Sequence, residues 1–153
     1  SAKDFELASM HVQVKARRGA AHPKIAISSE VQLDSIDGFA LYLSVIDVDT
    51  AIASEGLTLT DHVGMTEAML TSDPAALELW ERRITATGFR PEDVDERRVW
   101  KTGTSRTYEV RAGFPRMTPP LPPGVENLKY SINLHACAPF EVAEDVLSPA
   151  RIA

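Results

Sequence analysis

Disulfide chemistry is closed to this chain, because it carries one cysteine, Cys137, and that residue has no partner in the same molecule. Nor is there an apolar run approaching the roughly 20 residues that cross a bilayer, or a secretory leader. A cytoplasmic protein with no membrane attachment is therefore the expected setting. The histidines His11, His22, His62 and His135 do not combine with Cys137 at the spacings of a zinc site. Glycine-rich phosphate loops, dinucleotide fingerprints and a Ser-His-Asp signature are also missing. Aromatic residues are few, at 7%, but 44% hydrophobic and 25% charged residues over 153 positions suit one globular domain with a real core. The chain opens on Ser1-Ala2, directly before a strand-like segment, so it reads as part of something longer.

A more local absence is informative. Between Leu7 and Ser29 there is no acidic residue, while Lys15, Arg17, Arg18 and Lys24 lie there with His11 and His22. The overall charge of -6 argues against a general nucleic-acid coat, yet this window is a basic patch. The acidity comes from Asp47 to Arg98, where twelve acids face five arginines; it reads as a solvated helical face.

Periodicity orders the elements. Phe5 and Leu7 alternate with Asp4 and Glu6, and Met10, Val12 and Val14 alternate with His11, Gln13 and Lys15. That is the period of two half-buried strands, joined at Ala8-Ser9. Gly19 to Pro23 predicts a turn and Lys24 to Ile27 an extended run. Ser29 followed by Gln32 fits a capping box, predicting a short helix that ends near Gly38. Phe39 to Val48 is nearly unbroken in apolar character, which predicts a central strand buried on both faces and hence an α/β domain. A helix over Asp61 to Leu70 would be capped by Thr60, and another would start at Asp73-Pro74 and stop at Gly88-Phe89. The runs Arg97 to Thr102 and Arg106 to Arg111 flank Gly103 and predict a hairpin; Asn127 to His135 predicts a further strand. Five of the ten prolines lie between Pro115 and Pro123, most simply as a stiff connection. The expected organisation is a core over about 1–50, a helical segment over about 60–89 and a β-rich tail over about 97–136.

The first hairpin carries the chemistry. Its pairing would bring Asp4 close to Gln13 and Lys15 on one face. A carboxylate, a second oxygen ligand and a lysine are what phosphodiester hydrolysis with a hard divalent cation needs, since the carboxylate holds the metal and the lysine steadies the attacking water and the growing negative charge. His11 shares that face and could contact a phosphate, although a partly exposed histidine without a role is the plainer reading. Ser28, Ser29 and Gln32 could touch DNA from the predicted helix start, but capping accounts for them equally.

The order hairpin, basic turn, Ile27-Ser28-Ser29 with Gln32-Leu33, then Leu41-Tyr42-Leu43-Ser44-Val45, resembles the PD-(D/E)XK, or restriction-endonuclease-like, superfamily. There an acid on one strand is followed by a Glu-x-Lys triplet on the next, then a helix and a central strand. The tail sharpens the likeness: Tyr108 through Arg116, Pro122-Pro123-Gly124-Val125, Tyr130 through Leu134, and Ala136-Cys137-Ala138-Pro139-Phe140. These are similar to an uncharacterised bacterial group of PD-(D/E)XK family members often encoded in phage-defence islands. The likeness runs over nearly the whole chain and covers the C-terminal part of that group's usual length.

The resemblance implies a mixed central sheet flanked by helices, with an added C-terminal β-rich subregion, acting as a Mg²⁺- or Mn²⁺-dependent DNA endonuclease domain. Asp4 takes the position of the metal-binding aspartate, Gln13 that of the usual glutamate and Lys15 that of the triplet lysine, with the Val14 backbone carbonyl as a further ligand. Arg17, Arg18 and Lys24 would meet phosphates, with Ser28 and Gln32 beside them. The partners implied are DNA, other defence-system subunits and a second copy of the chain. Lys3 stands where the motif name has proline, a position without chemistry. Gln13 replaces an anion by an amide that still offers a carbonyl oxygen, as in the Gln-x-Lys variant of Mrr-type restriction nucleases, and Glu6 is placed to compensate. Gln13 therefore fits an active variant, a natural loss of catalysis or an engineered substitution. The competing functions are a silent nuclease fold that binds nucleic acid, and a protein-interaction or scaffold module.

Overall fold

The computed structural model describes residues 3–148. Alternation produces the expected opening hairpin: β1 (Phe5–Glu6) runs antiparallel to β2 (Met10–Arg17), with Phe5 opposite Val12 and Glu6 opposite His11. On its other edge β2 pairs in parallel with β4 (Ala40–Ala51), which sets Gln13 beside Leu43, Lys15 beside Val45 and Arg17 beside Asp47. Next come β5 (Val99–Glu109) and, antiparallel to it, β7 (Glu141–Val142), giving a five-stranded mixed sheet in the order β1-β2-β4-β5-β7. A second, two-stranded sheet pairs β3 (Lys24–Ile27) antiparallel with β6 (Tyr130–Asn133). With the helices α1 (Leu59–Leu70) and α2 (Pro74–Ala86), this is the mixed α/β class expected.

The chain forms two compact units, one reaching Val48 and resuming at Gly103, the other spanning Asp49–Thr102. The first holds the principal core. Ile25, Ile27 and Ile132 come inward from the small sheet, Leu41, Leu43 and Val45 from β4 and Tyr108 from β5; Val110, Leu33, Phe114 and Cys137 complete the cluster. Burial pushes the Cys137 thiol up to about 11, so it behaves as a small hydrophobe rather than a nucleophile.

In the second unit, Thr58 caps α1 through a reciprocal pair: its hydroxyl accepts from the Asp61 N–H at 3.1 Å, and the Asp61 carboxylate accepts from the Thr58 N–H at 3.0 Å. Gly56 just ahead is sterically obligatory, because a Cβ there would lie 2.9 Å from Ala51 Cβ and 3.0 Å from the Trp100 carbonyl oxygen. Asp73 caps α2 with Pro74 in its first turn, as the sequence indicates. Substituting Thr58 by Ala is expected to cost about 1 kcal/mol by removing the cap, read as a lowered urea midpoint at unchanged slope.

Four expectations fail for identifiable reasons. The α1 cap is Thr58 rather than Thr60, since it is Thr58 that has the acid three residues on. The helix expected from Ser29 to Gly38 is a turn over Glu30 to Leu33. Its carbonyls are claimed by side chains from elsewhere, Lys3 taking those of Val31, Gln32 and Asp34 and Arg116 that of Leu33. The hairpin around Gly103 is one uninterrupted strand, because Gly103 lacks the positive φ of a tight turn and β4 and β7 flank β5 on either side. The strand expected to reach His135 ends at Asn133, whose side-chain oxygen accepts from the His135 N–H at 2.9 Å and opens a 3-10 turn over Leu134–Phe140.

Candidate metal and nucleic-acid site

Asp4 lies just ahead of β1 and is exposed. The hairpin register carries it to the Gln13 level, where its Oδ2 accepts two hydrogen bonds, from Gln13 Nε2 at 2.6 Å and from the Val14 N–H at 2.7 Å. Both fall on one oxygen, Oδ2. Gln13 is 2% exposed, and its Oε1 is buried with no hydrogen-bond partner. A buried acceptor left bare costs on the order of 1–3 kcal/mol, so this oxygen marks a position where an electropositive group would be stabilised.

Lys15 follows two residues along β2 on the same face. Its Nζ donates to Gln32 Oε1 at 3.1 Å, and the same oxygen accepts from the Ser28 N–H at 3.1 Å. Burial lowers the pKa of this ammonium, opposed by the Asp4 carboxylate. The structure thus brings Asp4, Gln13 and Lys15 together, and places Gln32 against Lys15.

Lys3 occupies an unexpected place. It is only 8% exposed, and its Nζ donates to the carbonyls of Val31 at 2.7 Å, Gln32 at 2.8 Å and Asp34 at 2.6 Å. Burial lowers its pKa, and the Asp34 carboxylate counters this. Arg116 Nη1 completes the grip with bonds to the Leu33 carbonyl at 2.6 Å and Ser35 Oγ at 2.8 Å.

The basic patch divides. Arg18, Lys24 and Ser28 are exposed. Arg17 is engaged: its Nη1 donates to Asp47 at 2.8 Å and its Nη2 to the Ala21 carbonyl at 2.7 Å. It also lines a cavity of about 260 Å³ with Asp47, Thr104, Arg106, His135 and Glu141. Arg106 is likewise paired, with Glu141 at 2.9 Å, so the charges around that cavity largely cancel. Glu6 is exposed, beside His11 across the hairpin. His11 itself is buried, at 6% exposure, and stacks on Phe39 with ring centroids 4.5 Å apart and planes 12° from parallel. The expected partly exposed histidine is therefore a packing residue.

The donor set fits a hard cation. Asp4 offers carboxylate oxygen and Gln13 a bare amide oxygen, both oxygen donors as Mg²⁺ prefers, and Val14, whose N–H reaches Asp4, has a backbone carbonyl to add. Among the described residues no group of three or more His, Cys, Asp or Glu side chains converges. No helix among those residues is long and apolar enough to cross a membrane.

Sequence reasoning missed the roles of Lys3, Arg116 and Asp47. Lys3 carried a faint signal, a lysine in a position whose motif residue has no polar group; the other two become visible only when residues 30 or more positions apart are brought together.

Residues 1–135 match the model of a protein family described as "Putative PD-(D/E)XK family member (DUF4420)". No curated protein and no solved structure matches the chain.

Proposed function

This chain belongs to that PD-(D/E)XK family, and on this premise we propose that it is a metal-dependent endonuclease domain hydrolysing phosphodiester bonds in DNA. The observation that carries the reading is the bare, buried Gln13 Oε1 next to the Asp4 carboxylate, with the Lys15 ammonium held on the same face. Asp4, Gln13 and the Val14 carbonyl would hold Mg²⁺ or Mn²⁺. A bound divalent cation supplies Lewis-acid polarisation of the phosphoryl group and a lowered pKa for water. Lys15, fixed by Gln32, orients that water and stabilises charge growing on the phosphate oxygens. Exposed Arg18 and Lys24 and the Ser28 hydroxyl would contact neighbouring phosphates, giving salt-dependent affinity without sequence choice. The setting in a bacterial restriction or phage-defence system, with other subunits or a second copy of the chain, rests on the family resemblance.

A second reading is favoured by one specific contact. Gln13 Nε2 donates to Asp4 at 2.6 Å, filling with an N–H the space that two carboxylates would share with a cation. A nuclease fold that binds DNA without cleaving it follows if that amide never yields. The substitution Gln13→Glu separates the two readings. In chelator it should lower the melting temperature, because a carboxylate would then face Asp4 with like charge. Mg²⁺ at about 100 times its dissociation constant should return about 2.7 kcal/mol, a larger gain than in the wild type. Cleavage of supercoiled DNA by both forms supports the active reading, whereas cleavage by the Glu form alone establishes the silent one.

A further inference from the structure

Asp4 and Lys15 approach the same point from different elements, and their relative placement depends on whatever fixes the turn that holds Lys15. That turn, Glu30 to Leu33, has no helix or strand of its own to stiffen it. It is pinned instead by the residue immediately before Asp4. Lys3 Nζ takes the Val31, Gln32 and Asp34 carbonyls at 2.7, 2.8 and 2.6 Å, which uses all three ammonium donors. The backbone of Gln32 is thereby gripped by Lys3, while its side chain grips Lys15 and the Ser28 N–H. Burying an ammonium is expensive unless its hydrogen bonds are complete, and here three close acceptors satisfy it.

The geometry points to Lys3 as a positioning residue: by clamping the Val31–Asp34 carbonyls it sets Gln32, and through Gln32 it fixes the Lys15 ammonium relative to the Asp4 carboxylate. This rests on the proposal that Asp4 and Lys15 form a hydrolytic site. Lys3 touches neither substrate nor metal in this account. A neutral proline there, as in the motif's name, could not make the link, so this chain ties its metal-side strand to its lysine-side turn by a device of its own.

The test uses the full chain with the variants Lys3→Met and Gln32→Ala and their combination. Each single change should lower kcat for Mg²⁺-dependent DNA cleavage about 10-fold, the lower end for losing an outer supporting contact, with KM changed less than about 2-fold. The double variant should lose no more than either single one, because both act on one linkage. Additive losses of about 100-fold, or an unchanged kcat in Lys3→Met, overturn the proposal. A second readout is independent of activity. In ¹H–¹⁵N spectra of the metal-free protein, Lys3→Met should shift the Gln32 side-chain amide and the Ser28 N–H while leaving Ile132 in the core unmoved. If those two signals stay in place, the linkage is wrong even where cleavage is normal. If they move but the wild type cleaves no DNA with any divalent cation, the linkage stands and the nuclease reading falls. Should Lys3→Met fail to fold, Lys3→Gln, which keeps a donor for one carbonyl, carries the same comparison.

Discussion

Replacing Asp4 with Asn is expected to reduce Mg²⁺-dependent nicking of supercoiled DNA at least about 100-fold. The change keeps the shape of the side chain and an oxygen for the Val14 N–H, but removes the one negative charge at the centre of the site. The cation would then face two neutral amides and backbone carbonyl oxygen, a poor set for a strongly hydrated ion. Loss of a supporting group around a metal costs about 10- to 100-fold, so a ligand itself should cost no less. Lys15→Met should follow with a loss of about 100- to 1,000-fold, the range for deleting a charge-stabilising donor. DNA affinity measured in chelator should change little in the first variant, since Arg18 and Lys24 are untouched. Initial rates on plasmid, with the variants purified alongside the wild type, decide the matter; equal rates in Asp4→Asn and wild type would place the chemistry elsewhere.

The largest stability effect should come from Leu43→Ala. Leu43 is fully buried in β4, in the core cluster, and is the register partner of Gln13. Truncating a buried leucine removes its transfer free energy and leaves a cavity, together about 2–5 kcal/mol. Against a total of about 5–15 kcal/mol for a native domain, that is a large share. For a chain of this size each kcal/mol moves the melting temperature by roughly 2–4 °C, so a fall of roughly 5–15 °C is expected by calorimetry. Met69→Ala is the control. Its side chain is 79% exposed on α1, and its change should stay within about 0.5 kcal/mol plus the small helix-propensity gain. Equal losses in both would mean that the β4 core does not carry the stability assigned to it.

What the sequence made legible divides along a physical line. Period-two alternation gave β1, β2 and β6, and a long aliphatic run gave β4, because burial pattern is written locally in residue order. Asp73-Pro74 gave the start of α2 for the same reason: a cap and its helix lie within one turn of each other. The convergence of Asp4 with Gln13 followed once the hairpin was recognised, since register alone sets it. The failures share a different cause. Whether Ser29 to Gly38 coils into a helix is decided by Lys3 and Arg116, which are remote in sequence and in direct contact with its carbonyls. Gly103 looks like a turn only until flanking strands are supplied. That Arg17 is ion-paired shows only when Asp47 arrives beside it. Local rules report what a segment can do, and tertiary partners choose among the options.

Strands β4 and β5 are neighbours in the main sheet, yet over 50 residues of chain separate the place where one leaves the first unit from the place where the other rejoins it. Those two places touch: a methyl group on Gly103 would meet Asp47 Cβ at 3.5 Å. In polymer terms the helical unit is therefore a closed loop whose ends are already together. Closing such a loop costs only about 0.6 kcal/mol more for each doubling of its length. Residues can be gained or lost between Ala51 and Val99, where β4 has ended and β5 has not begun, without re-registering a single strand of the sheet that carries Gln13 and Lys15, so this is where the fold can change size most cheaply.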